Sequence, residues 1–258
     1  MATTAADKYA VPGLERGLRI LSEFNRETPT LGAPELARRL QVPRTTVFRL
    51  LVTLETLGYL ERVPGSHEFQ LGTAVLKLGF EYLASLPLTE LGRPILESLR
   101  ADVGFSANLV IRDGRDIVYV QKAASQSLFT SSVHIGTRLP AHATILGRTL
   151  LCHLSYDELR ALYPEEKLTP YTAHTPTTVA NLYTLLQSDR EHGYVIGDGF
   201  FEHNIASVAA PVLSAQNTVC AAIGITIPGA GIPPDRRETL IARVKAAATE
   251  LSRCMQHH

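Results

Sequence analysis

Two segments with helical apolar periodicity, separated by only three residues, dominate the first quarter of the chain. Apolar side chains recur at intervals of three or four in residues 34–40 and again in residues 44–57. The break between them, Gln-Val-Pro at 41–43, ends in Pro43, which cannot continue the preceding helix but can open the next one. Two helices joined by so short a turn are typical of a helix-turn-helix, and this constrains the fold more than any other feature of the sequence.

The flanking segments extend this pair of helices to a complete small domain. Leu14, Leu18 and Leu21 share a helical spacing and predict the apolar stripe of a first helix. After Gly58, a residue type that commonly ends helices, YLERV and HEFQL surround Pro-Gly-Ser at 64–66, which predicts two antiparallel strands and a turn. Three helices followed by a strand pair predict a winged helix-turn-helix over residues 1–72.

The third predicted helix has two chemically different faces. Its expected core stripe consists of Val47, Leu50, Leu51, Leu54 and Leu57. Its opposite face carries Arg44, Thr45, Arg49 and Thr53. A DNA-recognition helix needs this division, because one face packs on the domain while the polar face enters the major groove.

The charge distribution favours DNA contact at this helix. The whole chain has a formal net charge of +0, but residues 36–54 contain four arginines and no acidic residue, which predicts a local basic strip. The residues predicted to contact DNA are Arg38, Arg39, Arg44, Thr45, Thr46, Phe48, Arg49, Arg62, Ser66 and His67. Phe48 lies at the border of the two faces and either contacts a thymine methyl group or covers the core. The alternative for the whole set is an ordinary solvated surface of a domain that binds only protein.

Residues 73–87 predict a linker helix with almost no polar face. Thr73 is expected to cap it, and it should run to about Ala84 with only Lys77 and Glu81 charged. So apolar a helix would be insoluble if it were exposed. We therefore expect it to pair with the same helix of a second chain, so that a homodimer presents two recognition helices to a palindromic operator in double-stranded DNA. The alternative is burial within its own domain.

Residues 88–258 predict a second domain of the α+β class, with helices against an antiparallel sheet. The Asp-Gly pair between ANLVIR and DIVYVQKA predicts a hairpin, and SSVHIG predicts a further strand. A long helix capped by Thr177 or Thr178 is expected over residues 179–192. SVAAPVL and TVCAAIGITIP predict two more strands, and a last helix is expected over residues 234–255.

The sequence offers little for catalysis, metal binding or membrane insertion. It contains no phosphate-binding loop, dinucleotide fingerprint, HExxH or GxSxG motif, and its three cysteines are widely spaced. We expect no cofactor and no metal, with Asp198, Glu202, His203 and His142 as the alternative ligand set. There is no apolar leader and no apolar run of about 20 residues, so we expect a cytoplasmic protein without a membrane partner.

Polar residues near the loops of the second domain predict a small-molecule pocket instead. Ser207, Gly224 and Thr226 lie on apolar strands, and Thr144 begins the predicted HATILG helix, where its side chain and free N–H groups could hold a carboxylate or carbonyl. Apolar walls are available from Ile145, Leu146, Phe200 and Phe201. Apolar walls with a few polar anchors are the usual form of a ligand site.

Longer motifs spread over nearly the whole chain resemble the IclR family of bacterial transcriptional regulators. They are VPGLERGLRILSEF, ELARRLQVPRTTVFRLLVTLETLGYLER and FQLGTAVLKLG, followed by GTRLPAHATILGRTLL, REHGYVIGDGF and IASVAAPVLSAQNTVCAAIGIT. The resemblance implies a winged helix-turn-helix, a dimerising linker helix and a C-terminal effector-binding domain of the GAF or PAS type. It also implies dimers or tetramers that respond to small organic acids or aromatic compounds.

The resemblance further implies which residues bind the effector. These are Thr144, Ile145, Leu146, Asp198, Ser207, Gly224 and Thr226, to which Phe200 is added as an apolar wall. Many relatives have small residues where Ile145 and Leu146 stand, and several acids in the stretch where only Asp198 remains. Both departures narrow the pocket or make it more apolar.

We therefore expect a repressor or activator of a catabolic operon that senses a largely apolar or aromatic molecule with one polar head. The sequence leaves two alternative functions open. One is an enzyme that acts on a small organic acid and has an accessory helical domain. The other is a DNA-bound structural protein with a vestigial pocket.

Overall fold

The chain folds into two compact units, Met1–Ser85 and Leu86–His258. The structure is a computed structural model that describes residues 9–125, 133–229 and 231–256. The linker helix belongs to the first unit, so the division falls directly after it. The antiparallel sheet and its helices make up the second unit, and the mixed α+β class expected from the sequence is confirmed.

The first unit is a three-helix domain with a small sheet. Its elements are α1 (Pro12–Ser22), β1 (Leu31–Gly32), α2 (Ala33–Leu40), α3 (Arg44–Thr56), β2 (Leu60–Arg62), β3 (Glu68–Leu71) and α4 (Ala74–Ala84). The strands are antiparallel in the order β1-β3-β2, and the wing turn contains Gly65 with a φ of 74°. The wing strands predicted from the sequence are present, and β1 adds a third strand that was not predicted.

The turn between α2 and α3 has the form that the proline predicts. Gln41 ends α2 in the left-handed region with a φ of 54°, and Pro43 stands at the N-cap of α3. The carbonyl of Pro43 accepts hydrogen bonds from the backbone N–H groups of Thr46 and Val47. Val47 and Leu51 are fully buried and seat α3 on the domain.

Two expectations about core residues of the first unit are wrong. Leu14 and Leu18 are 63% and 55% exposed. The face of α1 that packs on the core carries Ile20 instead. Leu57 is also exposed, since α3 ends at Thr56 and the chain turns away there. Both helices carry apolar side chains over more than one face, and periodicity alone does not say which face is buried.

Helix α4 has no buried residue along its length. Leu76, Leu78, Phe80 and Tyr82 are all more than half exposed. The expected extent of the helix agrees with its bounds, but Thr73 makes no capping hydrogen bond through its side chain. The alternative that α4 is buried within its own domain is therefore contradicted within this chain.

The second unit is built on one six-stranded antiparallel sheet in the order β6-β5-β4-β9-β8-β7. Its elements are α5 (Pro87–Val103), β4 (Ser106–Asp113), β5 (Asp116–Ala123), β6 (Arg138–Pro140), a 3₁₀ turn (Ala141–Ala143), α6 (Ile145–Leu151), α7 (Tyr156–Leu162), α8 (Val179–His192), β7 (Val195–Asp198), β8 (Ile205–Leu213), β9 (Val219–Pro228) and α9 (Arg237–Gln256).

Helices cover both faces of this sheet. On one face Leu109 of β4 approaches α5 and α9, since a Cβ on Gly92 would lie within 3.6 Å of both Leu109 and Leu251. On the other face a core cluster joins α6, α7 and α8 to the strands, with Leu146, Ala209 and Ala222 among its members. The strand alternation separates the two layers because successive side chains point to opposite faces.

Several predicted elements of the second unit are confirmed. Thr178 caps α8 by accepting a hydrogen bond from the Asn181 N–H, and Gly193 ends it with a φ of 69°. Helices α5 and α7 and strand β7 were not predicted. The SSVHIG strand is wrong where it is described: residues 133–136 contain no strand, with a turn at Ile135 and Gly136, and the strand follows at β6, while residues 131 and 132 lie outside the described ranges.

Candidate functional site

Helix α3 presents an open polar face next to its buried one. Arg44, Thr45 and Arg49 are exposed, and Thr46 is half-buried at the first turn. Phe48 is 50% exposed, so it lies on the open face rather than under the core. Thr53 donates its hydroxyl to the Arg49 carbonyl and keeps a short polar side chain on the same helix. The arrangement fits a helix that approaches base edges with arginine and threonine.

The basic strip is smaller than the sequence predicts, because two of its arginines are neutralised. Arg38 and Arg39 both donate to the Glu35 carboxylate, at 2.7–2.9 Å, and Arg39 also reaches Glu23 at 3.3 Å. The two guanidinium groups hold the pKa of Glu35 at about 2. Glu35 stands just before the acid-free window, so counting charges inside the window overstated the free positive charge.

Arg62 on the wing is also engaged within the domain. It donates to Glu55 at 2.9 Å and its guanidinium lies 4.7 Å from the ring centroid of Phe69. Ser66 uses its hydroxyl to accept from the Glu68 N–H, and His67 is exposed at the tip. Among the arginines predicted to contact DNA, only Arg44 and Arg49 form no ion pair with any described residue.

A row of polar positions crosses the second-unit sheet near the ends of its strands. Ser207 of β8 lies opposite Gly197 of β7 on one side and opposite Thr226 of β9 on the other. Thr226 lies opposite Ser106 of β4. Directly opposed residues of antiparallel strands point to the same face, so these side chains share one surface. Ala209, two residues beyond Ser207, belongs to the α6 cluster, which identifies the surface as the face that α6 covers.

Apolar side chains form a wall beside this row. A Cβ on Gly197 would lie 2.8 Å from the Ile145 side chain and 2.6 Å from the Phe200 ring. A Cβ on Gly224 would lie 3.0 Å from the Leu146 side chain. Ile145, Leu146 and Phe200 therefore close over two glycines of the sheet.

The ring of Phe200 packs against the guanidinium group of a buried ion pair. The Arg148 guanidinium lies 4.7 Å from the Phe200 ring centroid and donates to Asp189 of α8 at 2.6–2.9 Å. Thr172 and Thr175 donate their hydroxyls to the Phe200 carbonyl at 3.2 and 2.6 Å. None of these four partners was predicted from the sequence, because they act through Phe200 and lie far from it along the chain.

Two predicted anchors have different surroundings from those expected. The Thr144 hydroxyl accepts from the Gly147 N–H at 3.0 Å and caps α6, so it is used inside the protein rather than left free for a carboxylate. Asp198 is exposed at the end of β7, and a Cβ on Gly231 would lie 3.4 Å from its carboxylate. Thr144 is thus a structural cap, and Asp198 lies at the rim.

Asn108 of β4 is a polar residue on this face that sequence reasoning missed. It lies opposite Gly224 on β9 and opposite Lys122 on β5, and its amide N–H donates to the Thr226 hydroxyl at 3.0 Å. Burial lowers the pKa of Lys122, whose ammonium donates to the Val133 carbonyl at 2.6 Å. A lone asparagine inside the apolar strand ANLVIR was the available signal.

The described residues show no arrangement typical of a metal site. In residues 9–125, 133–229 and 231–256, no three His, Cys, Asp or Glu side chains come together in a way that could hold an ion. Burial raises the pKa of the Cys152 thiol to about 11, which disfavours the reactive thiolate. Within the same ranges no helix combines the length and the apolarity needed to cross a bilayer.

Comparison with known proteins matches both units. Residues 13–64 match the IclR helix-turn-helix domain, and residues 80–253 match the family model described as bacterial transcriptional regulator IclR C-terminal. The second match alone covers more than half of the chain. Both models describe domains of one family of transcriptional regulators, which favours a regulator over the enzyme alternative.

Individual relatives include both directions of control. The chain is 31% identical over 221 residues to the p-hydroxybenzoate hydroxylase transcriptional activator of Acinetobacter baylyi, covering 83% of this chain and 80% of the relative. It is 28% identical over 251 residues to the transcriptional repressor IclR of Escherichia coli, covering 96% and 92%. The crystal structure of an IclR homolog from Microbacterium hydrocarbonoxydans, complexed with 4-hydroxybenzoate, has the same fold, with a TM-score of 0.83 at 22% identity over 95% of this chain and 100% of that one.

Proposed function

Because the chain belongs to the IclR family of bacterial transcriptional regulators, we propose that it controls a catabolic operon in response to a largely apolar or aromatic metabolite. The observation that carries this proposal is the contact of Ile145 and Phe200 over Gly197, directly beside the polar pair Ser207 and Thr226. An apolar wall next to a short polar row matches a flat apolar body with one polar head.

The relatives support an aromatic effector. The activator of A. baylyi controls a p-hydroxybenzoate hydroxylase, and the homolog from M. hydrocarbonoxydans holds 4-hydroxybenzoate in the same fold. A small oxoacid would leave the Ile145 and Phe200 surfaces without a partner. A benzene ring would cover them and gain the free energy of apolar contact.

DNA recognition is proposed for the open face of α3. Arg44 and Arg49 have the length to reach guanine edges, and Thr45 lies at the helix N-terminus, where backbone N–H groups favour a phosphate. Phe48 is exposed between them and is suited to a thymine methyl group. Arg62, Ser66 and His67 would contact the neighbouring backbone from the wing, with Arg62 first released from Glu55.

Dimerisation through α4 is the proposed link between the two functions. Leu76 and Phe80 are one turn apart and exposed, as are Leu78 and Tyr82. The same helix of a second chain would cover these residues and fix the spacing of two recognition helices on a palindromic operator. An effector that favours one spacing over another would shift the population that is competent to bind the operator.

Thermal unfolding and operator binding test the proposal together. Benzoate and 4-hydroxybenzoate are compared with pyruvate and glyoxylate, because a true effector stabilises the folded protein by mass action. We expect the aromatic acids to raise the unfolding temperature and to change the affinity for the promoter DNA of the neighbouring genes. A response to the oxoacids alone would contradict the proposed effector class.

A further inference from the structure

Asn108 carries a buried hydrogen-bond acceptor on the sheet face of the proposed effector site. We propose that its amide carbonyl oxygen binds a hydrogen-bond donor on the ligand, so that the effector carries a hydroxyl or N–H group at this end. The inference rests on the proposed function, since it adds a residue and a chemical requirement to the same pocket. It assigns Asn108 a role that neither the motifs nor the apolar wall predict.

The position of Asn108 follows from the sheet register. Asn108 lies opposite Gly224 of β9, and its amide N–H donates to the hydroxyl of Thr226, two residues further along β9. Gly224 and Thr226 are on the face that Leu146 and the α6 cluster cover. Asn108 therefore lies one step along the strands from the polar row and beside the glycine that Leu146 covers, on the same surface as both.

The carbonyl oxygen of Asn108 has no donor. The residue is 2% exposed, and its Oδ1 atom has no hydrogen-bond partner anywhere in the part of the chain that the structure describes. Burying an acceptor without a donor costs free energy, and native proteins rarely leave one. Gly224, its partner across the strands, has no side chain that could supply a donor.

The pair formed by Asn108 and Thr226 distinguishes between ligand groups. The Thr226 hydroxyl accepts from the Asn108 amide, which leaves its own hydrogen available to donate. The pair thus offers one acceptor and one donor side by side. A ligand hydroxyl satisfies both, because it donates to Asn108 and accepts from Thr226. An ether oxygen can accept from Thr226 but cannot donate to Asn108. A ring edge without a polar group pairs with neither residue.

Three acids that differ at one position separate these cases. Isothermal titration of the full-length protein is carried out with 4-hydroxybenzoate, 4-methoxybenzoate and benzoate. We expect 4-hydroxybenzoate to bind roughly tenfold or more tightly than the other two, because a site built around a buried acceptor discriminates against ligands that leave it unpaired. Equal or tighter binding of 4-methoxybenzoate would overturn the proposal, since it would mean that this edge of the site supplies donors.

The Asn108→Leu variant, which keeps the number and branching of the side-chain heavy atoms, tests the residue itself. We expect the preference for 4-hydroxybenzoate over benzoate to fall to about twofold or less, because the acceptor is gone. Gln121→Leu is the matched control: Gln121 is buried on β5 but lies opposite Leu109, on the face toward α5. The control should keep the wild-type preference. Retention of the preference in Asn108→Leu would overturn the assignment.

Unfolding of the ligand-free protein separates failure of this inference from failure of the proposed function. An acceptor kept for a ligand does not stabilise the empty protein, so Asn108→Leu combined with Thr226→Val should unfold at the wild-type temperature or above it. A structural role for Asn108 predicts a clear fall in that temperature and would overturn the inference. If no aromatic acid binds the wild type, the effector class is wrong, and this unfolding measurement alone decides the role of Asn108.

Discussion

Arg148 and Asp189 form a bidentate ion pair inside the second unit, with nitrogen–oxygen distances of 2.6–2.9 Å. Their side chains are only 5% and 9% exposed. The pair joins α6 to α8, and the Arg148 guanidinium also lies over the ring of Phe200. The position of the apolar wall of the candidate effector site therefore depends on a charge pair that is largely shielded from solvent.

Removal of one partner of this pair should be strongly destabilising. Asp189→Ala leaves the Arg148 charge buried without a counterion, and we expect the free energy of unfolding to fall by about 3–5 kcal/mol. Urea unfolding followed by circular dichroism measures the loss. The double variant Arg148→Met, Asp189→Leu removes both charges and should lose much less. A double variant less stable than the single one would contradict the argument.

Arg49→Ala should weaken operator binding by about 1–3 kcal/mol and relax one base preference, because Arg49 is exposed on α3 and has no ion-pair partner in the described ranges. Arg38→Ala is the comparison, since Arg38 is already held by Glu35. Fluorescence anisotropy at fixed salt, with operator and scrambled DNA, measures both. Equal losses for the two variants would mean that α2 contributes as much as α3.

Glu35→Gln should strengthen binding to DNA of any sequence. The substitution removes the carboxylate that neutralises Arg38 and Arg39 and leaves two positive charges near the duplex. Each added phosphate contact steepens the salt dependence of the binding constant by about one unit of slope. Titrations at several salt concentrations measure this slope. An unchanged slope would show that α2 does not approach the phosphates.

Phe80→Glu should dissociate the proposed dimer. Phe80 is 64% exposed on a helix without buried residues, and a two-fold contact would bring the two introduced carboxylates into one apolar interface. Sedimentation velocity measures the oligomeric state, and we expect a smaller species with weaker operator binding. Lys77→Glu introduces the same side chain at a polar position of the helix and serves as the control.

Acidification between pH 7 and 5 should destabilise the second unit, in part through His142. Its ring nitrogen Nε2 lies 2.9 Å from the Thr169 carbonyl, and burial lowers its pKa below the usual 6.5. A base with a depressed pKa in the folded state binds more protons when unfolded, so its contribution is complete above about pH 6.5 and declines below it.

His142→Gln removes this titration while keeping a donor for Thr169. The fall in unfolding free energy from pH 7 to pH 5 should be smaller in the variant than in the wild type. Part of the fall should remain, because burial also lowers the pKa of His153. Urea unfolding at three pH values measures the difference, and an identical fall in both proteins would exclude His142 as a contributor.

The sequence predicted the elements whose ends are marked by a proline, a capping hydroxyl or a glycine close to the end. Pro43 opens α3, Gly58 follows the end of α3 with a φ of 77°, and Thr178 caps α8. Proline, capping hydroxyls and positive-φ residues act within a few positions of themselves, so a local reading finds them. Helix α5 escaped prediction because Pro94 lies inside it, where the local rule argues against a helix.

For the candidate site, the sequence offers single residues for prediction but not the interactions between pairs of residues. Ile145, Leu146 and Phe200 are apolar and close together, as their motifs imply. The neutralisation of Arg38 by Glu35 and the unpaired oxygen of Asn108 depend on distances between side chains. Periodicity gives the face of an element, but it does not give the partner on the neighbouring element.

Gly197 has no side chain at the point where Ile145 and Phe200 meet, and its backbone is one that alanine tolerates without strain. A single-nucleotide change to alanine would force the side chains of Ile145 and Phe200 to move. It would leave the hydrogen-bonding groups of the candidate site and the arginines of α3 unchanged. For the effector site proposed above, evolution can thus alter which metabolite is admitted without altering which promoter is read, so that paralogues with one operator can serve different nutrients.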